Sequence, residues 1–340
     1  MRALRENAET YSGTHMTKIL ITGVAGFVGS NLLKKLLSLK YKVTGLDNLS
    51  QGQLRNIEPF KNNPSFEFVE GDIRDESLVD RLVEKTDAVV HLAAYKIPRY
   101  GNAMDTLKIN TWGTRNFFNA GSKHKRKIVF TSTSDVYGKN PDLPFSEESD
   151  LFLGATSIKR WSYAVSKLYD EHLAYAHMEE FQTPIAVIRY FGGYGPNQNL
   201  TWWGGPQSVF IEKAIKDEPL TIHGDGSQTR SFTFVEDMVN GTTLALEKEE
   251  ANGEIWNIGN EREITIKDLG KMIWSLVRPG TQPKIDLISY GSFSGHYEDV
   301  MRRVPNLNKS KQRLGYQVTT QLEEGLPLTI EWQKQFYPSA

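Results

Sequence analysis

The chain contains no cysteine. Disulfides and thiolate metal ligands are therefore excluded, and the composition suits a reducing compartment. No apolar run approaches the roughly 20 residues that span a bilayer. Residues 1–15 are polar and lack the apolar core of a signal peptide. Neither sign of charge dominates: 40 Lys and Arg face 41 Asp and Glu, a formal net charge of −1. That balance gives no reason to expect a nucleic acid partner. No Cys/His/Asp cluster has metal-ligand spacing, so no metal is expected. What remains is a soluble cytoplasmic protein with no membrane segment.

The 340 residues suffice for one large domain or two smaller ones. His15-Met16 precedes the first apolar run, so residues 1–16 read as a disordered extension. It is either upstream of a start at Met16 or a short native tail. Short β-rich runs then alternate with helical patterns. Ile19–Ile21, Lys42–Leu46, Phe66–Val69, Ala88–Leu92, Lys127–Phe130 and Ile185–Ile188 read as strands. Asn31–Leu39 and Glu76–Glu84 read as helices, the second with Asp75 as N-cap. This alternation predicts an α/β fold, a Rossmann-type doubly wound parallel sheet with a small C-terminal substrate-binding lobe. The expected sheet domain covers 17–190 and 231–260, where Ser231–Leu246 and Glu254–Ile258 read as a return to the sheet. Residues 191–230 and 261–340 form the lobe, with a helical, loop-rich tail.

Thr22-Gly23-Val24-Ala25-Gly26-Phe27-Val28-Gly29 follows a strand and opens a helix. In that setting Gly23 permits a tight turn, Gly26 lets the backbone approach a pyrophosphate, and Gly29 lets the helix pack closely on the sheet. A purely structural turn is the competing reading. Asp47 ends the second strand, where a carboxylate accepts ribose hydroxyls and repels a 2′-phosphate, favouring NAD over NADP. Asp72-Ile73 could frame the adenine. Tyr163 and Lys167 are four apart and share a helix face. A free tyrosine has a pKa of about 10, too high for a base at neutral pH, and a nearby cation would lower it. Thr131–Asp135 closes the fifth strand, where a hydroxyl could bind a sugar hydroxyl and pass its proton to Tyr163, although strand-end turns also favour Ser and Thr. Arg230, after Gly224-Asp225-Gly226-Ser227, could clamp a diphosphate, as could Arg302 or Arg303. His91 reads as structural.

Together these residues resemble the extended short-chain dehydrogenase/reductase superfamily, and within it the NAD-dependent nucleotide-sugar epimerase/dehydratase family, like UDP-glucose 4-epimerases. The motifs are Thr22–Gly29, His91–Ala94, Val136–Gly138, Tyr163–Lys167, Arg189–Phe191, His223–Arg230, Arg302–Pro305 and Leu322–Leu326. The likeness spans about residues 17–335. It implies transient oxidation of a sugar at C4 by bound NAD, then epimerisation, 4,6-dehydration or decarboxylation of a uronic acid. It implies Thr133, Tyr163 and Lys167 as catalytic residues, with Asp135 a further candidate. It implies NAD contacts from Gly23, Gly26, Phe27, Val28 and Gly29. Others would come from Asp47, Asn48, Asp72 and Ile73, from Leu92, Ala93, Ala94 and Lys96, and from Asn110, Tyr163, Lys167 and Tyr190. Thr133, Ser134, Gly192, Gln207, Arg230 and Arg303 would meet a UDP-, dTDP- or GDP-linked sugar. Helices near Asp105–Ala120 and Tyr163–Glu179 imply a homodimer.

Two departures bear on the reaction. Asp135 stands where epimerases carry a small or hydroxyl residue and dehydratases or decarboxylases a glutamate. Gly192 stands where asparagine is usual. Lys96, the Arg230 region and the shortened carboxylate favour 4-epimerisation. Trp161 keeps decarboxylation open, and a non-catalytic NAD- or sugar-nucleotide-binding regulator is the alternative outside enzymes. The unusual Trp202-Trp203 pair would stack on the sugar or base, or fill a lid.

Overall fold

The structure, a computed structural model, describes residues 17–96, 102–289 and 299–337. The extension expected over 1–16 lies outside them. In chain order the strands are β1 Lys18–Thr22, β2 Lys42–Asp47, β3 Phe66–Glu70, β4 Ala88–His91, β5 Lys127–Thr133, β6 Ile185–Tyr190, β7 Gly193–Tyr194, β8 Leu220–His223, β9 Thr229–Ser231, β10 Thr233–Phe234, β11 Ile255–Ile258, β12 Glu263–Thr265 and β13 Ile285–Ile288. The helices are α1 Phe27–Ser38, α2 Glu76–Glu84, α3 Ala103–His124, α4 Trp161–Phe181, α5 Pro206–Ile215, α6 Val235–Glu247, α7 Ile266–Val277 and α8 Leu322–Lys334.

Seven strands form one sheet in the order β11-β6-β5-β4-β1-β2-β3, all parallel. Strands buried on both faces read as continuous apolar runs. Successive side chains point to opposite faces. Ile19 and Ile21 of β1 pack with Leu32, Leu33 and Leu36 of α1 and Val239 of α6. Leu20 between them packs with Val79 and Val83 of α2, Phe117 and Phe118 of α3 and Ala174 of α4. The strand order reverses between β1 and β4, which opens a crevice at the carboxyl ends of the strands.

Asp75 does cap α2, its carboxylate accepting the Leu78 N–H at 3.0 Å. Two expectations are corrected. Helix α1 begins at Phe27, not Asn31, because the glycine turn feeds the helix directly. Ser231–Leu246 does not return to the sheet. It yields the short β10 and then α6, whose buried Val235, Met238, Val239, Thr242 and Leu246 recur at helical spacing. Only β11 joins the large sheet. Beyond it lie the two-stranded pairs β7–β10, β9–β12 and β8–β13, so the tail also carries strands. Helices α5, α7 and α8 pack on one another there. No described helix is long and apolar enough to cross a membrane.

Candidate functional site

The glycine turn is shaped by backbone collisions. Gly23 has φ +70°, and a Cβ there would meet Ala93 backbone at 3.1 Å. A Cβ on Gly29 would lie 2.1 Å from the Gly23 carbonyl oxygen. Gly29 therefore packs against the turn itself rather than on the sheet. Gly26 is the N-cap of α1 and offers no side chain to its first turn. The leading N–H groups of α1 are left for a ligand. Asp47 accepts the Ala25 N–H at 2.9 Å and the Leu49 N–H at 2.8 Å. A carboxylate has about four acceptor positions, so each oxygen keeps one for a further donor.

A cavity of about 590 Å³ runs from this turn across the strand ends. Gly23, Gly26–Gly29, Asp47, Asn48, Ile73, Leu92–Ala94 and Lys96 line its first part. Thr133–Asp135, Tyr163, Lys167, Tyr190, Gly192, Arg230 and Arg303 line the rest. The Tyr190 ring faces the cavity while its hydroxyl bonds to Thr242 of α6.

Three expected residues stand back from the wall. The Asp72 carboxylate is bound by Arg74 at 2.7 Å and accepts from Asn48. The Arg74 hydrogen bond is the main cause that holds it down at about 2. Asn110 is buried and ties Tyr95 to α4 through its backbone and the Ser166 hydroxyl. Gln207 is buried in the first turn of α5. Gly192 also has a local reason: a Cβ would lie 2.6 Å from the Ser231 carbonyl oxygen. The close approach of β9 excludes an asparagine side chain at that point.

Strand β5 and helix α4 bring the expected catalytic side chains together. The Thr133 hydroxyl accepts the Asp135 N–H at 3.2 Å and hydrogen-bonds the Tyr163 phenol. Burial and the Asp135 charge raise the phenol well above its usual value, against that lowering bond. The lowering expected from Lys167 does not outweigh these effects. The charges acting on the phenol are carboxylates, Asp135 and Asp170. Lys167 is 1% exposed, with its ammonium 4.6 Å from the Phe130 ring centre. Burial lowers it, against the Asp170 and Glu171 charges, and burial likewise raises Asp170, against the Lys167 charge.

The end of the cavity around Asp135 is dominated by guanidinium groups. Arg303 lies 2.6 Å from the Asp135 carboxylate and Arg160 3.5 Å from it. Asp299 takes Arg160 at 3.1 Å and Arg230 at 2.8 Å. Burial works to raise the Asp135 carboxyl, and Arg303, Arg160 and Arg230 overcome it, holding the group below the usual carboxylate range. Sequence reasoning missed Arg160. Its only signal was a position one helical turn before Tyr163. Trp202 stacks on His223 with ring centres 5.2 Å apart, and Trp203 meets Tyr95 edge-on at 5.3 Å. Both pairs line the cavity. His91 is structural as expected, bonded to Thr22 at 2.8 Å and Thr114 at 3.2 Å.

Residues 20–329 match the GDP-mannose 4,6-dehydratase family. The chain is 36% identical over 318 residues to a UDP-N-acetyl-alpha-D-glucosaminuronate decarboxylase of Bacillus cytotoxicus, covering 93% of this chain and 97% of that one. It is 35% identical to UDP-glucuronic acid decarboxylase 1 of Xenopus tropicalis, covering 93% of this chain and 72% of that one. Among solved structures it resembles UDP-glucuronic acid 4-epimerase from Bacillus cereus, solved with UDP-glucuronic acid and NAD. The TM-score is 0.84 at 31% identity, over 94% of this chain and 100% of that one. These relatives are enzymes acting on nucleotide sugars. The chain belongs to the GDP-mannose 4,6-dehydratase family, within the extended short-chain dehydrogenase/reductase superfamily of nucleotide-sugar epimerases, dehydratases and decarboxylases.

Proposed function

We propose that the chain binds NAD and oxidises C4 of a nucleotide-diphosphate-linked uronic acid, which then loses carbon dioxide. One observation carries the acidic sugar: around Tyr163, at the end of the cavity away from Asp47, Arg160, Arg230 and Arg303 line the wall with two carboxylates among the described residues, Asp135 and Asp299. That end of the site keeps a surplus of positive charge, suited to an anionic sugar as well as a diphosphate. The decarboxylase names of similar proteins support the same reading.

The residues present fit NAD: an uncapped helix start for the pyrophosphate, Asp47 with free acceptor positions for a ribose, and the Leu92–Ala94 wall beyond. When bound, NAD supplies a reversible two-electron oxidation at C4. Thr133 orients the C4 hydroxyl, and Tyr163 takes its proton. The resulting ketone lies β to the uronate carboxylate. The C5–C6 bond then breaks, its electron pair enters the ketone as an enolate, and carbon dioxide leaves. C5 takes up a proton, the hydride held by the cofactor would return to C4, and Tyr163 gives its proton back to the C4 oxygen, so that the alcohol is restored. This sequence needs no base at C5, which accords with an Asp135 carboxylate held by Arg303.

The same held carboxylate favours a second reading, 4-epimerisation with the uronate retained, in which the ketone turns before it is reduced. It weighs against water elimination, which requires a base at C5. Mass spectrometry of products from UDP-glucuronic acid, its N-acetylated amino analogue and neutral UDP-hexoses tests the proposal. Loss of the mass of carbon dioxide is expected. Unchanged mass with shifted retention would transfer the assignment to 4-epimerisation. Turnover of neutral sugars alone would overturn the uronic acid.

The two-stranded pairs with α5, α7 and α8 would serve as the sugar-nucleotide lobe, and two copies would pair through α3 and α4. Trp112 of α3 and Val165, Tyr169 and Tyr175 of α4 are exposed, and these two helices pack side by side.

A further inference from the structure

Behind the catalytic pair runs a buried line of four side chains that crosses from β1 to α4. Its hydrogen atoms can be assigned by elimination. The Thr22 hydroxyl oxygen accepts the Leu92 N–H at 3.1 Å and the Ala93 N–H at 3.0 Å. Both its lone pairs are then used. Its own hydrogen must go to His91 Nδ1, 2.8 Å away. That nitrogen is therefore an acceptor, and a neutral imidazole carries its hydrogen on Nε2. Burial first, then the Lys167 charge, keeps this histidine neutral. Nε2–H donates to the Thr114 hydroxyl at 3.2 Å. Thr114 in turn donates to Asp170 Oδ2 at 3.0 Å. Every bond points toward Asp170.

Asp170 is 0% exposed, and its Oδ1 makes no hydrogen bond among the described residues. It lies three residues after Lys167 on α4, on the same helix face. Among the described residues, the groups facing Lys167 are few. His91 on β4 is neutral, and β5 presents the Phe130 ring. On α4 itself are Tyr163, Asp170 and Glu171. Glu171 is committed to Arg189 of β6, at 2.6 Å and 3.0 Å. Asp170 is thus the carboxylate left to the lysine.

We propose that Asp170 is the positioning residue that keeps Lys167 charged. The donor line from Thr22 through His91 and Thr114 prepares its carboxylate for that task. The role rests on the reading that Lys167 serves the Tyr163 reaction, but the charge of Lys167 can be followed without turnover. In protein carrying ¹³Cε-lysine, the Lys167 signal is identified by its loss in Lys167→Arg and titrated by NMR. Removing a neighbouring opposite charge shifts a pKa by about 1–3 units. Asp170→Asn keeps an oxygen for Thr114, so the midpoint should fall by about that much while the fold is retained. Thr114→Val removes the hydrogen bond that favours the Asp170 carboxylate. It should move the midpoint the same way by less, and it serves if Asp170→Asn does not fold. In the pH profile of kcat, the alkaline limb of Asp170→Asn should move down with the NMR midpoint. An unmoved midpoint in both variants overturns the proposal whatever the substrate. A moved midpoint with no turnover of uronic acids would instead condemn the functional reading and leave the Asp170 assignment standing.

Discussion

The Asp135 carboxylate and the Arg303 guanidinium meet at 2.6 Å in the wall of the cavity that Tyr163 also lines. The pair keeps Asp135 ionised, and the Asp135 charge in turn helps raise the Tyr163 phenol. Replacing Asp135 by Asn removes that charge. The phenolate should then form at lower pH, and the acid limb of kcat/KM should move down. A pH–rate profile of D135N checks this, and an unmoved limb would detach Asp135 from Tyr163.

Tyr163 is the proposed acid–base group at C4. General acid–base groups contribute about 10²–10⁴-fold. Tyr163→Phe should lower kcat by about that factor with an unchanged circular dichroism spectrum. Activity within a few-fold of the parent protein would rule out the assignment.

Gly192 has no room for a side chain, because the Ser231 carbonyl oxygen stands 2.6 Å from where its Cβ would be. Overpacking of this kind costs about 1–3 kcal/mol. Restoring the family's usual asparagine, Gly192→Asn, should therefore lower Tm rather than improve binding. Thermal unfolding followed by fluorescence measures it, and a stable G192N would show that β9 can move away.

Glu171 and Arg189 form a two-pronged pair with side chains each 4% exposed. Removing one partner of a buried pair costs about 3–5 kcal/mol, because the other charge is stranded. Glu171→Ala should lose stability in that range. The double variant Glu171→Leu with Arg189→Met should recover much of it. Urea titrations of both decide, and equal losses would mean that packing, not charge, dominates there.

Much of the sheet was legible because fully buried parallel strands leave uninterrupted apolar runs between turn residues. Asp75 announced α2 by its capping chemistry. Helix α1 hid its start, since Gly26 carries no capping side chain. Residues 231–246 misled because β-branched Val235, Val239, Thr242 and Thr243 suggest a strand while their spacing is helical. In the site, Tyr163, Lys167 and the glycine turn were readable as local patterns. The contribution of Arg160 and Asp170 was not, because it depends on segments far apart in sequence meeting in space. Asp72 has the residue type for a ligand contact, yet Arg74 two positions later takes its carboxylate.

The last strand to join the sheet, β11, pairs with β6 although some 65 residues separate them. During synthesis β6 is complete long before its neighbour exists. Until Ile258 has emerged, the row Ile185–Ile188 has an unpaired edge and an apolar surface. Such edges recruit strands from other chains. The interval between residues 190 and 258 is therefore a period of aggregation risk for the nascent protein. A truncation placed inside it should yield insoluble material, even though the dinucleotide half of the sheet has already been made.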